Sequence, residues 1–243
     1  MHNRLTNVQR LSFVTLVVLI IQLSFSVSPL LSQDITIGTQ TWTSKNLDVS
    51  TFRNGEAIPE VKSAEEWEKA GDNKTAAFCY YEYDSKNGKV YGKLYNWYAV
   101  NDSRGLAPKG YHIPSDAEWT ILTDKLGGEE IAGEKMKSKT GWKGISNGGK
   151  KVPCHTCKNA RTVKTPEVIK TVGDNSSGFI GLPGGSCNYS GYFYSITKDG
   201  YWWSSSENSE GSAWYRNLNY LYTKVNRNDY YLNFGFSVRC LRD

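Results

Sequence analysis

Ser115-Asp-Ala-Glu-Trp-Thr-Ile-Leu-Thr-Asp-Lys-Leu-Gly-Gly128 is the stretch on which the fold class turns. Ser115 stands three residues before Glu118, the spacing at which a cap hydroxyl and an acid exchange hydrogen bonds with free backbone N–H groups. Trp119, Leu122 and Leu126 then fall on one helical face, and Gly127-Gly128 supplies a residue able to take the left-handed conformation that ends a helix. A second cap of the same kind, Ser63-Ala-Glu-Glu66, opens another short helix. Around these two lie brief strand candidates at 35–37, 77–83, 179–182, 192–196 and 201–204, followed by an aromatic-rich tail. Asn87-Gly88 and Asp199-Gly200 are placed as hairpin turns. Two or three short helices scattered among short twisted strands and long loops make the class α+β.

Upstream, Arg4 and Arg10 precede an uncharged apolar run at 11–31, and the sequence turns polar at Gln33-Asp34. That layout predicts a signal peptide over 1–32, cleaved near the small residues Ser26 or Ser32, and a mature protein of 33–243. An uncleaved anchor is the alternative, because the run approaches the roughly 20 residues that cross a bilayer. No later apolar run is long enough for a second span. Residues 33–243 suit one domain with a sizeable core, and no linker divides them. The formal charge of +5 falls to +3 without Arg4 and Arg10, which predicts no strong attraction to nucleic acid or to an anionic membrane. Lys135, Lys137, Lys139 and Lys143 sit beside Glu129, Glu130 and Glu134 and read as a solvated mixed-charge surface. The segment 141–175 is rich in lysine and glycine, poor in large apolar residues, and carries Cys154-His-Thr-Cys157. It reads as a surface excursion with a hairpin across Val163 to Val172.

Six ordered blocks carry a resemblance to a known family. They are Trp42-Thr-Ser-Lys-Asn-Leu47, Tyr91-Gly-Lys-Leu-Tyr-Asn-Trp-Tyr-Ala99, Ala107-Pro-Lys-Gly-Tyr-His-Ile-Pro-Ser-Asp-Ala-Glu-Trp119, Gly178-Phe-Ile-Gly-Leu-Pro-Gly-Gly185, Trp202-Trp-Ser-Ser-Ser206 and Gly235-Phe-Ser-Val-Arg-Cys240. From about Ile37 onward the chain resembles the Fibrobacter succinogenes major paralogous domain, found on exported proteins of Fibrobacter and Bacteroidetes-type bacteria. Ala107 departs from it, where many members carry cysteine. Gly184-Gly185-Ser186 with the terminal Gly-Phe-Ser-Val-Arg-Cys strand is more distantly similar to the formylglycine-generating enzymes, a variant of the C-type-lectin fold. That similarity implies a compact α+β domain whose two ends meet in one sheet and whose loops carry function.

Five cysteines in an exported chain, Cys79, Cys154, Cys157, Cys187 and Cys240, invite disulfides. Cys240 is expected to pair with Cys187 or Cys79, and Cys154 with Cys157. Cys154 and Cys157 are also half of a zinc site, but with His155 they give at most three ligands, so no metal is expected. Catalytic patterns are thin. His112 and His155 are the only histidines after the leader, and no His-Glu-x-x-His, Gly-x-Ser-x-Gly or phosphate loop appears. His112, between a turn and a helix cap, reads as a structural hydrogen-bonder. The formylglycine-generating enzymes hold copper on paired cysteines after Gly-Gly-Ser, and here Cys187 has no second cysteine in 188–197.

Aromatic side chains are what the domain has in excess, with 8 Trp and 16 Tyr, which suits stacking on sugar rings or filling a protein-binding hot spot. The expectation is an exported, non-catalytic binding module, secreted or at the cell surface or periplasm. Its partner would be an extracellular glycan or a cell-surface protein, held on loop-borne Trp202, Trp203 and Trp214 with Glu207 and Asn208. Calcium is a candidate cofactor through Asn101-Asp102, Glu207-Asn208 and Asn228-Asp229. The alternatives are an enzyme on the same fold, with no catalytic residue assigned, and a structural envelope component.

Overall fold

A computed structural model describes residues 34–144 and 173–243. The expected leader at 1–32, the cysteines Cys154 and Cys157, and the hairpin placed at 163–172 lie outside the described residues. In chain order the elements are β1 (Asp34–Ile37), β2 (Gln40–Thr43), α1 (Ala64–Asp72), β3 (Phe78–Cys79), a 3-10 turn (Tyr81–Tyr83), α2 (Ser85–Tyr91), β4 (Leu94–Tyr95), α3 (Trp97–Val100), β5 (Tyr111–His112), α4 (Asp116–Lys125) and α5 (Glu129–Met136). Then follow β6 (Ser186–Cys187), β7 (Phe193–Tyr194), β8 (Asp199–Ser209), β9 (Ser212–Asn219), β10 (Val225–Tyr231) and β11 (Leu241–Arg242). The class is α+β, with five α-helices among the described residues rather than two or three. None of them is long and apolar enough to cross a membrane.

Helix α4 forms as its sequence dictates. Ser115 Oγ accepts from the Glu118 N–H at 3.3 Å, and Glu118 Oε2 accepts from the Ser115 N–H at 2.8 Å, completing the box. Trp119 and Leu122 point into the core, and Gly127 and Gly128 follow with φ of +105° and +92°. At α1 only half of the box appears. Ser63 Oγ caps Glu66, but the Glu66 carboxylate reaches one residue further back, to the Lys62 N–H at 2.7 Å.

The expected turns and several strands are corrected. Asn87-Gly88 lies inside α2, which Asp84 caps by accepting from the Lys86 N–H at 2.9 Å. Gly88 is glycine because a Cβ there would stand 2.2 Å from the Tyr80 ring. Asp199-Gly200 begins β8, and Gly200 lies against the Trp202 ring and the Leu182 carbonyl, 2.4 and 2.6 Å from where a Cβ would be. The strand expected over 77–83 shortens to Phe78–Cys79 because Glu82 and Tyr83 take φ of +54°. Residues 179–182 form no strand, and only Gly181 makes an isolated bridge, to Lys137. Lys137 is itself a correction to the solvated lysine surface: it is fully buried, its ammonium donating to the carbonyls of Tyr222 at 2.7 Å and Asn219 at 3.2 Å.

The first and last strands share a sheet of order β1-β2-β11-β5, in which Leu241 lies opposite both Trp42 and His112. A second sheet, β10-β9-β8, carries the long hairpin, and β3-β4 and β6-β7 are two-stranded. Alternation along β8 sends Trp202 and Trp203 into different cores. Trp202 joins Trp42, Trp119 and Phe179, while Trp203 joins Tyr95, Tyr215 and Phe236. Each buried indole keeps a partner for its N–H: Trp202 donates to Asn46 Oδ1 and Trp203 to the Tyr95 carbonyl, both at 2.9 Å.

Asn46 is where the sequence blocks meet. Its carbonyl oxygen accepts from Trp202 and from Arg239 Nε at 2.8 Å, and its amide donates to the Tyr91 carbonyl and Ser237 Oγ. Arg239 is fully buried and bonds the carbonyls of Thr43, Phe179 and Ile180 while lying over the Phe179 ring. Burial pushes its guanidinium down to about 9. Five chain segments are therefore tied through two side chains.

Candidate functional site

The long β8-β9 hairpin ends in an exposed tip at 207–211. Its pairing shifts register between Trp203 and Glu207 and again before Ser209, and bulges of that kind re-aim side chains near a strand end. Glu207 and Asn208 are exposed along this irregular stretch. The turn closes on Glu210 and Gly211, whose φ of +87° favours glycine, with Ser209 and Ser212 hydroxyls 2.9 Å apart. Strand β10 runs beside β9 and brings Asp229 opposite Trp214, Tyr230 opposite Ala213 and Tyr231 opposite Ser212. Between the turn and Asp229–Tyr231 lies a shallow recess of about 460 Å³.

Tyr230 and Tyr231 line this recess, and their rings connect through the half-buried Phe234 to Tyr189. Tyr230 packs on Phe234 at 4.2 Å between centroids and on Tyr231 at 5.6 Å, and Tyr189 meets Phe234 at 6.0 Å. Tyr189, Tyr230 and Tyr231 are 52, 40 and 62% exposed. Tyr192 and Tyr194 are also exposed, on the β6-β7 hairpin. Among the described residues none of these five hydroxyls has a hydrogen-bond partner, so each offers a flat apolar face and a free polar edge.

Of the expected site residues, Trp202 and Trp203 are corrected: they lie in β8 rather than a loop, are fully buried, and present no face to a ligand. The tryptophan expectation failed because side-chain alternation on a strand packed on both faces hides both members of a Trp-Trp pair. Trp214 is half-buried and has one face covered by the Arg227 guanidinium at 3.6 Å. Glu207, Asn208 and Trp214 all belong to the hairpin that carries the recess. The exposed residues the sequence reading missed are Tyr230, Tyr231 and Tyr189, and their signal was the dense tyrosine clusters at 189–194 and 214–231.

Behind the hairpin, Asp116 joins two arginines. Arg216 Nη1 meets its Oδ1 at 2.7 Å and Arg227 Nη2 its Oδ2 at 2.8 Å. Burial raises the Asp116 carboxyl, but the two guanidiniums outweigh it and hold the group below the usual carboxylate range. This network fixes β9 and β10 against α4.

His112 forms a second polar cluster between two surface recesses. Nδ1 lies 2.8 Å from Asp243 Oδ1 and Nε2 2.9 Å from Glu118 Oε1. Burial works against its charged form, yet the two carboxylates prevail and raise its pKa. Both ring nitrogens are engaged, which is the geometry of a structural clamp, as the sequence position suggested.

The cysteines pack differently from the expected pairing. Cys240 belongs to the cluster of Trp203 and Phe236, whereas Cys79 and Cys187 share another cluster, so neither Cys240–Cys187 nor Cys240–Cys79 is formed. Among the expected calcium ligands, Asp102 gives both carboxylate oxygens to Arg104. No three His, Cys, Asp or Glu side chains come together for a metal among the described residues.

The family model of the Fibrobacter succinogenes major domain matches residues 35–242, and the chain belongs to that family. No curated protein and no solved structure matches.

Proposed function

We propose that this member of the family is an exported, non-catalytic binding module that holds an extracellular glycan on the tyrosine surface at the hairpin tip. The carrying observation is the pair of exposed rings Tyr230 and Tyr231 lining a recess together with Glu210 and Asp229, with exposed Tyr189 packed nearby on the half-buried Phe234. Tyrosine faces stack on the apolar face of a sugar ring, and the two carboxylates accept from its hydroxyls. The leader read at 1–32 supports export to the periplasm, the cell surface or the medium. A C-type-lectin-like fold of the formylglycine-generating type fits the joining of the first and last strands in one sheet.

The test is binding of residues 33–243 to a broad glycan array, with and without calcium, alongside Tyr231→Ala and Tyr230→Ala. Binding lowered tenfold or more in either variant, with the fold intact by circular dichroism, supports the reading. A blank array for the parent protein removes the glycan and leaves a cell-surface protein as ligand. Dependence on calcium would bring Glu207, Asn208, Asn228 and Asp229 into the site.

A further inference from the structure

Two thiols meet inside the cluster formed by Val61, Trp67, Tyr81 and Leu94. Cys79, in β3, and Cys187, in β6, are both free, fully buried and packed in that one cluster, near enough for each to disfavour ionisation of the other. Their strands belong to different sheets, β3 pairing with β4 and β6 with β7. Among the described residues the two strands do not pair directly and are joined only through the tail, where Gly235 bridges to Cys187 and Phe236 to Tyr95. Cys240 packs in a separate cluster and does not compete.

We propose that Cys79 and Cys187 are an oxidation site, joined by a disulfide when the chain folds in the presence of a disulfide oxidant such as oxidised glutathione or a dithiol oxidase of the export compartment. One cysteine thiolate attacks a sulfur of the oxidant and releases one thiol, leaving a mixed disulfide. The second cysteine gives its proton to solvent, attacks the protein sulfur of the mixed disulfide and releases the second thiol. Two protein thiols lose two electrons in all, and one external disulfide becomes two thiols. Burial raises the Cys79 thiol well above its ordinary value, so the closed protein holds almost no thiolate there. Oxidation consequently belongs to the folding chain, and the folded, reduced protein resists the same oxidant. The bridge would fasten the base of the loop that carries Tyr189 and Tyr192 to the β3-β4 hairpin.

The full chain is unfolded with reductant in guanidinium chloride, refolded in mixed oxidised and reduced glutathione, alkylated, and digested without reduction for mass mapping. A peptide joining Cys79 to Cys187, with Cys240 alkylated, is the expected result. Alkylation of both Cys79 and Cys187, or linkage of either to another cysteine, overturns the proposal. A bridge closing a loop of roughly a hundred residues predicts that reductant lowers the thermal midpoint of the refolded protein by about 10 °C. Cys79→Ala/Cys187→Ala should show no such response, and Cys187→Ser serves where that double variant does not fold. An unchanged midpoint in the parent protein overturns the proposal as well.

Discussion

Trp202 and Trp203 are neighbours in β8 and disappear into two separate clusters, whereas Tyr230 and Tyr231, neighbours in β10, leave their rings at the surface. Both strands flank β9 in the same three-stranded sheet. The difference lies in what packs on each strand: Trp42, Trp119 and Phe179 cover Trp202 on one face of β8 and Tyr95 and Phe236 cover Trp203 on the other, and the two strands differ at their outer edges as well. Along β8 the tail segment lies alongside, with the Trp203 N–H donating to the Ser237 carbonyl and the Ser237 N–H to the Tyr201 carbonyl. Beyond β10 no described strand pairs, and the edge carries Arg227, Asn228 and Asp229, the charged and polar residues by which natural sheets discourage further pairing. Aromatic density in the sequence is thus one signal with two outcomes, and what packs against each face of the strand decides between them.

The sharpest way to break this contrast is to truncate the buried side. Trp203→Ala removes a fully buried indole and its bond to Tyr95, and a loss of about 3–5 kcal/mol is expected in guanidinium unfolding. A loss under about 1 kcal/mol would mean that β8 is not packed as described. It follows that tryptophan variants at 202 and 203 are unsuitable for locating a ligand, since unfolding alone abolishes binding. Asn46→Leu comes next, at about 2–4 kcal/mol, because it leaves Arg239 Nε and the Trp202 N–H buried without their acceptor. Asn46→Asp, which restores an acceptor, should recover part of that loss.

His112→Ala sits in the middle of the scale and depends on pH. The folded His112 pKa is raised above the ordinary 6.5, so its contribution is complete below that value and disappears as pH rises through the folded pKa. The Glu118 pKa is lowered from 4.5: burial opposes the shift, but the Ser115 bonds and His112 outweigh it, and its contribution is lost at acid pH. At pH 5.5 the variant should therefore be destabilised most, by about 0.5–1 kcal/mol, a small figure because the ring is more than a third exposed and water screens the pair. Equal losses at pH 5.5 and pH 9 would disprove the clamp. Tyr231→Ala closes the series at about 0.5 kcal/mol or less, since its ring is already exposed. A larger loss would place Tyr231 with the structural aromatics and weaken the binding reading.

The helices were legible wherever a cap and a periodic face coincided, as at Ser115 and Ser63. The α+β class followed from the same short-range signals, and the family from the resemblance carried by six ordered blocks, which the family model over residues 35–242 bears out. Asn87-Gly88 misled because the pair favours turns in isolation, whereas Asp84 caps a helix through it and the Tyr80 ring occupies the space a side chain would need. Which cysteines lie together and which aromatic rings are buried were not legible, because both are settled by tertiary contacts between segments, such as Cys79 with Cys187 and Trp203 with Phe236, that local spacing does not reveal. Exposure of Tyr230 and Tyr231 depends on what lies beyond β10, a property no local pattern encodes.

The sheet that places Leu241 against both Trp42 and His112 also sets the order of events during synthesis. Strand β2 is made some two hundred residues before its partner β11 leaves the ribosome, so the sheet cannot be completed while the chain is being made. Such distant pairing carries a large loop-closure cost and slows folding. Arg239 reinforces the delay, since the carbonyls of Thr43, Phe179 and Ile180 are without its guanidinium until the tail arrives. The pairing of β2 with β11 and the buried bonds of Arg239 therefore form only after the last strand has been made.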